Sequence, residues 1–247
     1  MRLQQHRLDG AQQPTKEPDR RGGETNGPTV NVDPAMYSTQ ASRYAPIMAG
    51  EIQQLAGFDG LRRAKEWLDA STRVAHAWTV KDDLFRELLE FEWPYGGKGF
   101  SFDIGGKLRG GSFHDNSFVA EVKNYKRELD LPEHFRSFLA KCYISFKAKP
   151  NRCNHMMWIS WSPFQARKWD QHTTPDNVRE AVVYHREAIF GTSDESEARK
   201  SVDETAIFET AQRLWVITLC EKQEQLVISN DHLDELVKFM RVAERAV

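Results

Sequence analysis

The amino-acid sequence predicts an α/β domain whose mixed central sheet is flanked by helices, preceded by a flexible N-terminal tail. Two observations support this fold class. Apolar residues recur at helical spacing in some segments and at every second position in others, and the two kinds of segment are interspersed along the chain. The chain has 247 residues, of which 40% are hydrophobic, and this is enough for one sizeable core.

Residues 1–45 are predicted to form the tail, and residues 46–247 the folded domain. The tail region is rich in Gln, Arg, Gly, Pro, Asp and Thr and has very few large apolar side chains. Such a segment buries too little apolar surface to offset the conformational entropy that folding removes. We therefore expect ordered structure to begin near Glu51.

Charge and cysteine content restrict the function and the compartment. A net charge of −2 gives no overall attraction to nucleic acid, so any such binding must come from a local basic surface. The three cysteines, Cys142, Cys153 and Cys220, are too few and too widely spaced for a disulfide framework. The N-terminus lacks an apolar signal region, and no run of roughly 18 apolar residues occurs. These features predict a cytoplasmic protein that does not bind a membrane.

Two helices are expected in the first part of the domain. Apolar residues recur at helical spacing between Glu51 and Leu68, with Gly57 and Gly60 as candidate dividing points between two segments. A second, short helix is expected over residues 83–91, which are followed by a proline and a glycine pair.

The pattern then changes to the alternation typical of strands. Residues 100–108 and residues 117–125 both alternate apolar and other side chains, and a glycine pair lies between them, so we predict a β-hairpin. After Pro132, which a first helical turn tolerates, apolar residues recur at helical spacing to Phe146. This helix is expected to cover one face of the sheet.

The last part of the chain is predicted to continue the alternation of strands and helices. The expected elements are a buried strand at 155–162 beside the hairpin, a helix from Thr174 to Ile189, a solvated loop or helix face at 194–204, a second hairpin formed by 214–220 and 225–229, and a final helix from Leu233 to Met240.

The predicted hairpin carries three residues that suit phosphodiester hydrolysis. Asp103 lies on the first strand, and Glu121 and Lys123 lie on the second, where positions i and i+2 face the same side. Two carboxylates provide the hard oxygen ligands that Mg²⁺ prefers. A lysine adds a compact positive charge for the attacking water or the scissile phosphate. We therefore expect a metal-dependent catalytic site here.

This arrangement resembles the PD-(D/E)xK nuclease superfamily, which includes restriction endonucleases and Holliday-junction resolvases. FDIGGKL, FVAEVKNY and HFRSFLAKCY carry the resemblance, which covers about residues 50–165. It implies a restriction-endonuclease-like fold in which Asp103 and Glu121 bind Mg²⁺ and all three residues catalyse cleavage. The chain would then be a deoxyribonuclease of defence, restriction or repair, and many such enzymes act as homodimers.

One feature departs from the superfamily pattern. Many relatives carry a further glutamate on the first helix, just after a glycine, but this chain has Leu61 at that position. Glu51, Asp59 or Glu66 could take the place of that glutamate. Asp115 is another acid in the region, and its loop position favours a role in a turn.

Three hypotheses follow from the sequence. In the first, the chain is an active Mg²⁺-dependent nuclease. In the second, it is a degraded nuclease fold that binds nucleic acid or assists assembly. In the third, it is an unrelated domain in which Glu121 and Lys123 form only an ion pair. Eleven lysines and arginines lie between Gly96 and Arg152 against six acidic residues. This excess predicts a phosphate-binding surface or, equally, a solvated basic surface.

Overall fold

The computed structural model describes residues 49–124 and 130–245, so the predicted tail lies outside the described residues. Within these ranges, no helix has both the length and the apolar character that crossing a membrane requires. In chain order the strands are β1 (Val74–Thr79), β2 (Glu90–Glu92), β3 (Gly99–Ser101), β4 (Ile104–Leu108), β5 (Ser117–Lys123), β6 (His155–Ser160) and β7 (Leu214–Thr218).

Helices precede, separate and follow these strands. An amphipathic helix packs on a sheet through its apolar stripe, and a polar side chain at its N-terminus can cap the first turn. Thr174, for example, accepts a hydrogen bond from the backbone N–H of Asn177. The helices are α1 (Ala49–Asp69), α2 (Arg86–Leu89), α3 (Leu131–Ala148), α4 (Pro175–Tyr184), α5 (Arg186–Phe190), α6 (Glu195–Ser201), α7 (Glu204–Ala211), α8 (Glu221–Glu224) and α9 (Asn230–Arg245).

The central sheet has five strands in the order β1-β4-β5-β6-β7. The pairs β1–β4 and β4–β5 are antiparallel, whereas β5–β6 and β6–β7 are parallel. Each parallel pair is joined by a connection that contains helices, as parallel pairing requires. The predicted mixed α/β sheet with flanking helices is therefore confirmed.

The two faces of the sheet are covered by different helices. On one face, Ala64 and Leu68 of α1 pack with Phe118 and Ala120 of β5. On the other face, β5 contributes Val119 to a larger cluster that also contains apolar residues of α3, α4 and α7. Because side chains of a strand alternate, Glu121 shares the α3 face with Val119.

The predicted strand at 100–108 is divided into two strands that belong to different sheets. β3 pairs with β2 in a small two-stranded sheet, while β4 lies in the central sheet. Phe102 and Asp103 lie between them, and the backbone N–H of Phe102 donates to the carbonyl of Leu89. The alternation breaks here, since Phe102 is buried on the α3 face and Ile104 on the α1 face.

The helix predicted at 83–91 was too long, because only Arg86–Leu89 is helical and the next residues form β2.

The strand β1 was not predicted from the sequence. Its residues include a histidine and two alanines, which weaken the strand signal. The first helix is continuous through Gly57 and Gly60, so these glycines do not divide it.

The second predicted hairpin is wrong. β7 pairs with β6 in a parallel register, for example Trp158 with Val216, and residues 225–229 contain no strand. Leu226 in that segment is 81% exposed. A parallel partner comes from a distant part of the chain, which a local alternation pattern does not reveal. The acidic segment 194–204 contributes α6, and the final helix is confirmed as α9.

Gly105 and Gly106 lie inside β4. A Cβ on Gly106 would lie 2.3 Å from the ring of Phe118 and 2.6 Å from the carbonyl oxygen of His76. A Cβ on Gly105 would lie 2.6 Å from Leu89. Both glycines are therefore required by close packing of β4 against its neighbours.

We predict that Gly106→Ala lowers the free energy of unfolding by about 1–3 kcal/mol, the typical cost of overpacking a core. Denaturant unfolding of the purified protein measures this change. Gly57→Ala is the matched control, because a Cβ there meets nothing within 4 Å and alanine favours the helix. Equal stability of the two variants would contradict the packing argument.

Candidate active site

Asp103 lies where the chain passes from the small sheet into the central sheet. Its backbone N–H donates to the carbonyl of Ala120 at 2.9 Å, and its own carbonyl accepts from the N–H of Val80. Its Oδ2 accepts a hydrogen bond of 2.8 Å from the N–H of Val122. These bonds fix the carboxyl group of Asp103 beside the C-terminal end of β5.

Glu121 faces the same region from β5. Ile104 pairs with Ala120, so Asp103 is level with Glu121 on the neighbouring strand. Glu121 is only 6% exposed, and its Oε1 accepts a bond of 2.7 Å from Nζ of Lys123. The structure therefore brings together all three residues that the sequence predicts for the site.

Lys141 of α3 is a fourth charged residue at this place. Its Nζ lies 3.3 Å from Oε2 and 3.4 Å from Oε1 of Glu121. The Lys141 and Lys123 side chains are 18% and 17% exposed, so both ammonium groups are largely shielded from solvent. Lys141 is one of the eleven basic residues counted between Gly96 and Arg152, but its contact with Glu121 was not predicted from the sequence.

The environment of Asp103 favours its protonated form. Desolvation, followed by the negative charge of Glu121, raises the pKa of Asp103 to about 6. Lys123, the N–H of Val122 and Lys141 act in the opposite direction. The effect of Glu121 on the pKa of Asp103 is a second indication that the two carboxyl groups lie close together.

His134 adds an imidazole to the edge of this group. It lies on α3 two turns before Lys141, so both side chains lie on nearly the same side of the helix. Desolvation lowers the pKa of His134, and the positive charge of Lys123 lowers it further. A neutral imidazole near Lys123 suits proton transfer.

The acids considered as replacements for the first-helix glutamate have other contacts. Asp59 pairs with Arg62 and Arg63, and Glu66 pairs with Arg62 on the exposed side of α1. The side chain of Glu51 lies outside the described residues. Asp115 occupies a turn with a positive φ of 62°, as its loop position predicts.

Asp103 and Glu121 carry the kind of oxygen ligand that Mg²⁺ prefers. Within residues 49–124 and 130–245, no group of three or more His, Cys, Asp or Glu is arranged to hold a metal ion. Mg²⁺ often takes only one or two carboxylates and keeps several waters. Within the same ranges Asp103 uses only Oδ2 in a hydrogen bond, and Glu121 is adjacent. The two carboxyl groups would therefore suit a Mg²⁺ ion that kept several waters, provided that Lys123 and Lys141 gave up contacts with the oxygens of Glu121.

The predicted basic surface is only partly available for phosphate. Lys107 donates to the carbonyl of Asp115, Arg152 donates to the carbonyl of Glu87, and Lys147 pairs with Asp203. These contacts give several of the basic residues a structural role. Lys126 and Arg127 lie outside the described residues, so a phosphate-binding surface remains a prediction.

Comparisons of the chain with protein-family models, with curated proteins and with solved structures gave no match.

The raised pKa of Asp103 makes the stability of the metal-free protein depend on pH. Because the folded pKa exceeds the unfolded one, the protonated form is stabilising below about pH 4, and this contribution is lost as the pH rises through about 6. Relative to Asp103→Asn, we expect the wild type to lose stability between about pH 4 and pH 7, by about 3 kcal/mol at most.

Urea unfolding of both proteins in chelator across this pH range measures the difference. Asparagine can still accept the N–H of Val122, so the substitution removes the titrating proton and keeps the local hydrogen bond. Parallel stability curves for the two proteins would show that Asp103 does not titrate in this range.

Proposed function

We propose that this protein is a Mg²⁺-dependent nuclease with a restriction-endonuclease-like core that hydrolyses phosphodiester bonds in DNA. The observation that supports this proposal is that a buried carboxylate, Glu121, lies beside Asp103 and Lys123 near the C-terminal end of the middle strand, β5. Charged groups in such surroundings are costly, and sites of this kind are frequently functional.

Each residue has a distinct role in this proposal. A bound Mg²⁺ supplies stabilisation of negative charge at phosphorus and activates a water molecule. Asp103 and Glu121 hold the ion through their carboxylate oxygens, and Asp103 must lose its proton to do so. Lys123 presents an ammonium group beside Glu121, where it stabilises the charge that develops on the scissile phosphate.

A degraded nuclease fold that binds nucleic acid without cutting it is the second candidate. The observation that favours it is that these acids already have partners in place of a metal. Glu121 forms ion pairs with Lys123 and Lys141, and Asp59 and Glu66 form ion pairs with an arginine of α1. In such a protein the ion cluster would stabilise the fold and no metal would bind. Metal binding separates the two candidates.

We predict that Lys123→Ala abolishes cleavage of DNA in Mg²⁺ and leaves DNA affinity nearly unchanged. Its ammonium acts on the reacting phosphate, whereas one lysine contributes little to overall binding. Stability should fall by about 1–3 kcal/mol, since a buried carboxylate loses one partner while Lys141 remains.

Single-turnover cleavage assays and denaturant unfolding measure these effects, with Lys147→Ala as the control. Lys147 lies on α3 but pairs with Asp203, and its side chain is 43% exposed. Its loss should leave cleavage intact. Wild-type turnover by the folded Lys123→Ala protein would remove Lys123 from the mechanism.

We further predict that Asp103→Asn and Glu121→Gln each weaken Mg²⁺ binding at least about tenfold, because an amide keeps the shape of the carboxylate and removes its charge. DNA affinity in chelator should stay the same or increase, because each change removes a negative charge that repels phosphate.

Calorimetric titration of Mg²⁺ and DNA binding in chelator test this pair of expectations. A purely structural ion cluster makes a different prediction. Replacing Glu121 costs stability under either hypothesis, because Lys123 and Lys141 lose their shared anion. With a purely structural cluster, however, neither substitution would change the affinity for metal. Failure of the wild type to bind Mg²⁺, even with DNA present, would favour the degraded fold.

A further inference from the structure

The two lysines at Glu121 make unequal contacts with it. Lys123 donates to one oxygen at 2.7 Å, which is a typical length for a charge-assisted hydrogen bond. Lys141 lies 3.3 and 3.4 Å from the two oxygens, so its ammonium is shared between them at longer range. Of the two, Lys141 has the weaker hydrogen bonds and is the easier to displace.

We infer that Lys141 is a movable counter-ion, which neutralises Glu121 in the metal-free protein and transfers to a DNA phosphate when metal binds. Metal binding and DNA binding then promote each other. This inference rests on the proposed function, since it concerns the same site, and it adds a coupling between the two ligands that the catalytic roles alone do not require.

The charges at the site support this exchange. With both carboxyl groups ionised, Asp103 and Glu121 balance Lys123 and Lys141. A divalent cation added to this group leaves two uncompensated positive charges in partly desolvated surroundings, which is unfavourable. A DNA phosphate that approaches at the same time carries one negative charge and so reduces this penalty. Metal therefore binds more favourably when DNA is present.

The position of Lys141 permits the movement. It extends from the α3 face toward the end of β5, in the direction in which helical side chains lean, and its stem has four flexible carbons. Its Nζ also lies 5.9 Å from the ring of Phe100 on β3, whose chain leads directly to Asp103. The ammonium is thus held between the carboxylate and an aromatic face, without a close bond to either.

The experiment measures the coupling between the two ligands in the full-length protein. Ca²⁺ replaces Mg²⁺ so that DNA is not cut, and its affinity is measured calorimetrically with and without a DNA duplex of mixed sequence. In the wild type we expect DNA to tighten Ca²⁺ binding by about tenfold or more, within the usual range of coupling between sites.

In Lys141→Met, Ca²⁺ should bind the DNA-free protein several-fold more tightly than in the wild type, because the competing ammonium is gone. The coupling should then fall below about threefold, because no ammonium group at position 141 remains for metal to displace and for a DNA phosphate to accept. Lys141→Arg, which keeps the charge, should retain most of the coupling. Lys147→Met removes a charge from the same helix away from the site, so it should leave the coupling at the wild-type value.

Two results would overturn the inference while leaving the proposed function intact. One is an unchanged coupling in a Lys141→Met protein whose melting temperature shows that it is folded. The other is an equal loss of coupling in Lys147→Met, which would indicate a general charge effect. Absence of Ca²⁺ binding by the wild type, with or without DNA, would instead contradict the proposed function itself.

Discussion

The burial of one carboxylate, Glu121, is the constraint on which the site depends. At 6% exposure it has lost most of its water, so its charge must be neutralised by neighbouring groups. Lys123 does so from two residues along the same strand, and Lys141 does so from α3. The helix must therefore pack on this face of the sheet in one register, because another register would leave Glu121 buried with a single partner.

The break between the two sheets positions the second acid. Phe102 is buried against α3, while Ile104 is buried against α1, so the backbone must turn between them. Asp103 occupies this turn and is held by hydrogen bonds to Ala120 and Val122 of β5. A residue inside a regular strand would have its backbone fixed by the ladder alone. Here the carboxyl group also accepts a hydrogen bond from the N–H of Val122, which fixes its orientation toward the end of β5.

The sequence predicted the part of this site that depends on local pattern. Glu121 and Lys123 were predicted to share one face because they are two residues apart on a strand, and Asp103 was placed opposite them by the hairpin. Lys141 could not be found in this way, since its contact depends on how α3 is rotated against the sheet. The parallel pairing of β6 with β7 was missed for a related reason, because its partners are separated by several helices.

The energetics of the cluster argue for a chemical role. Four ionisable side chains occupy a position where apolar residues of similar size would fill the space between α3 and the sheet, and buried ion pairs rarely stabilise a fold more than such residues do. The pKa of Asp103 is raised to about 6, so its surroundings favour the protonated form more than water does. A divalent cation would reverse that preference, because it stabilises the ionised forms of Asp103 and Glu121 together. A cation bound together with a DNA phosphate would therefore recover part of the free energy that the cluster costs in the metal-free protein.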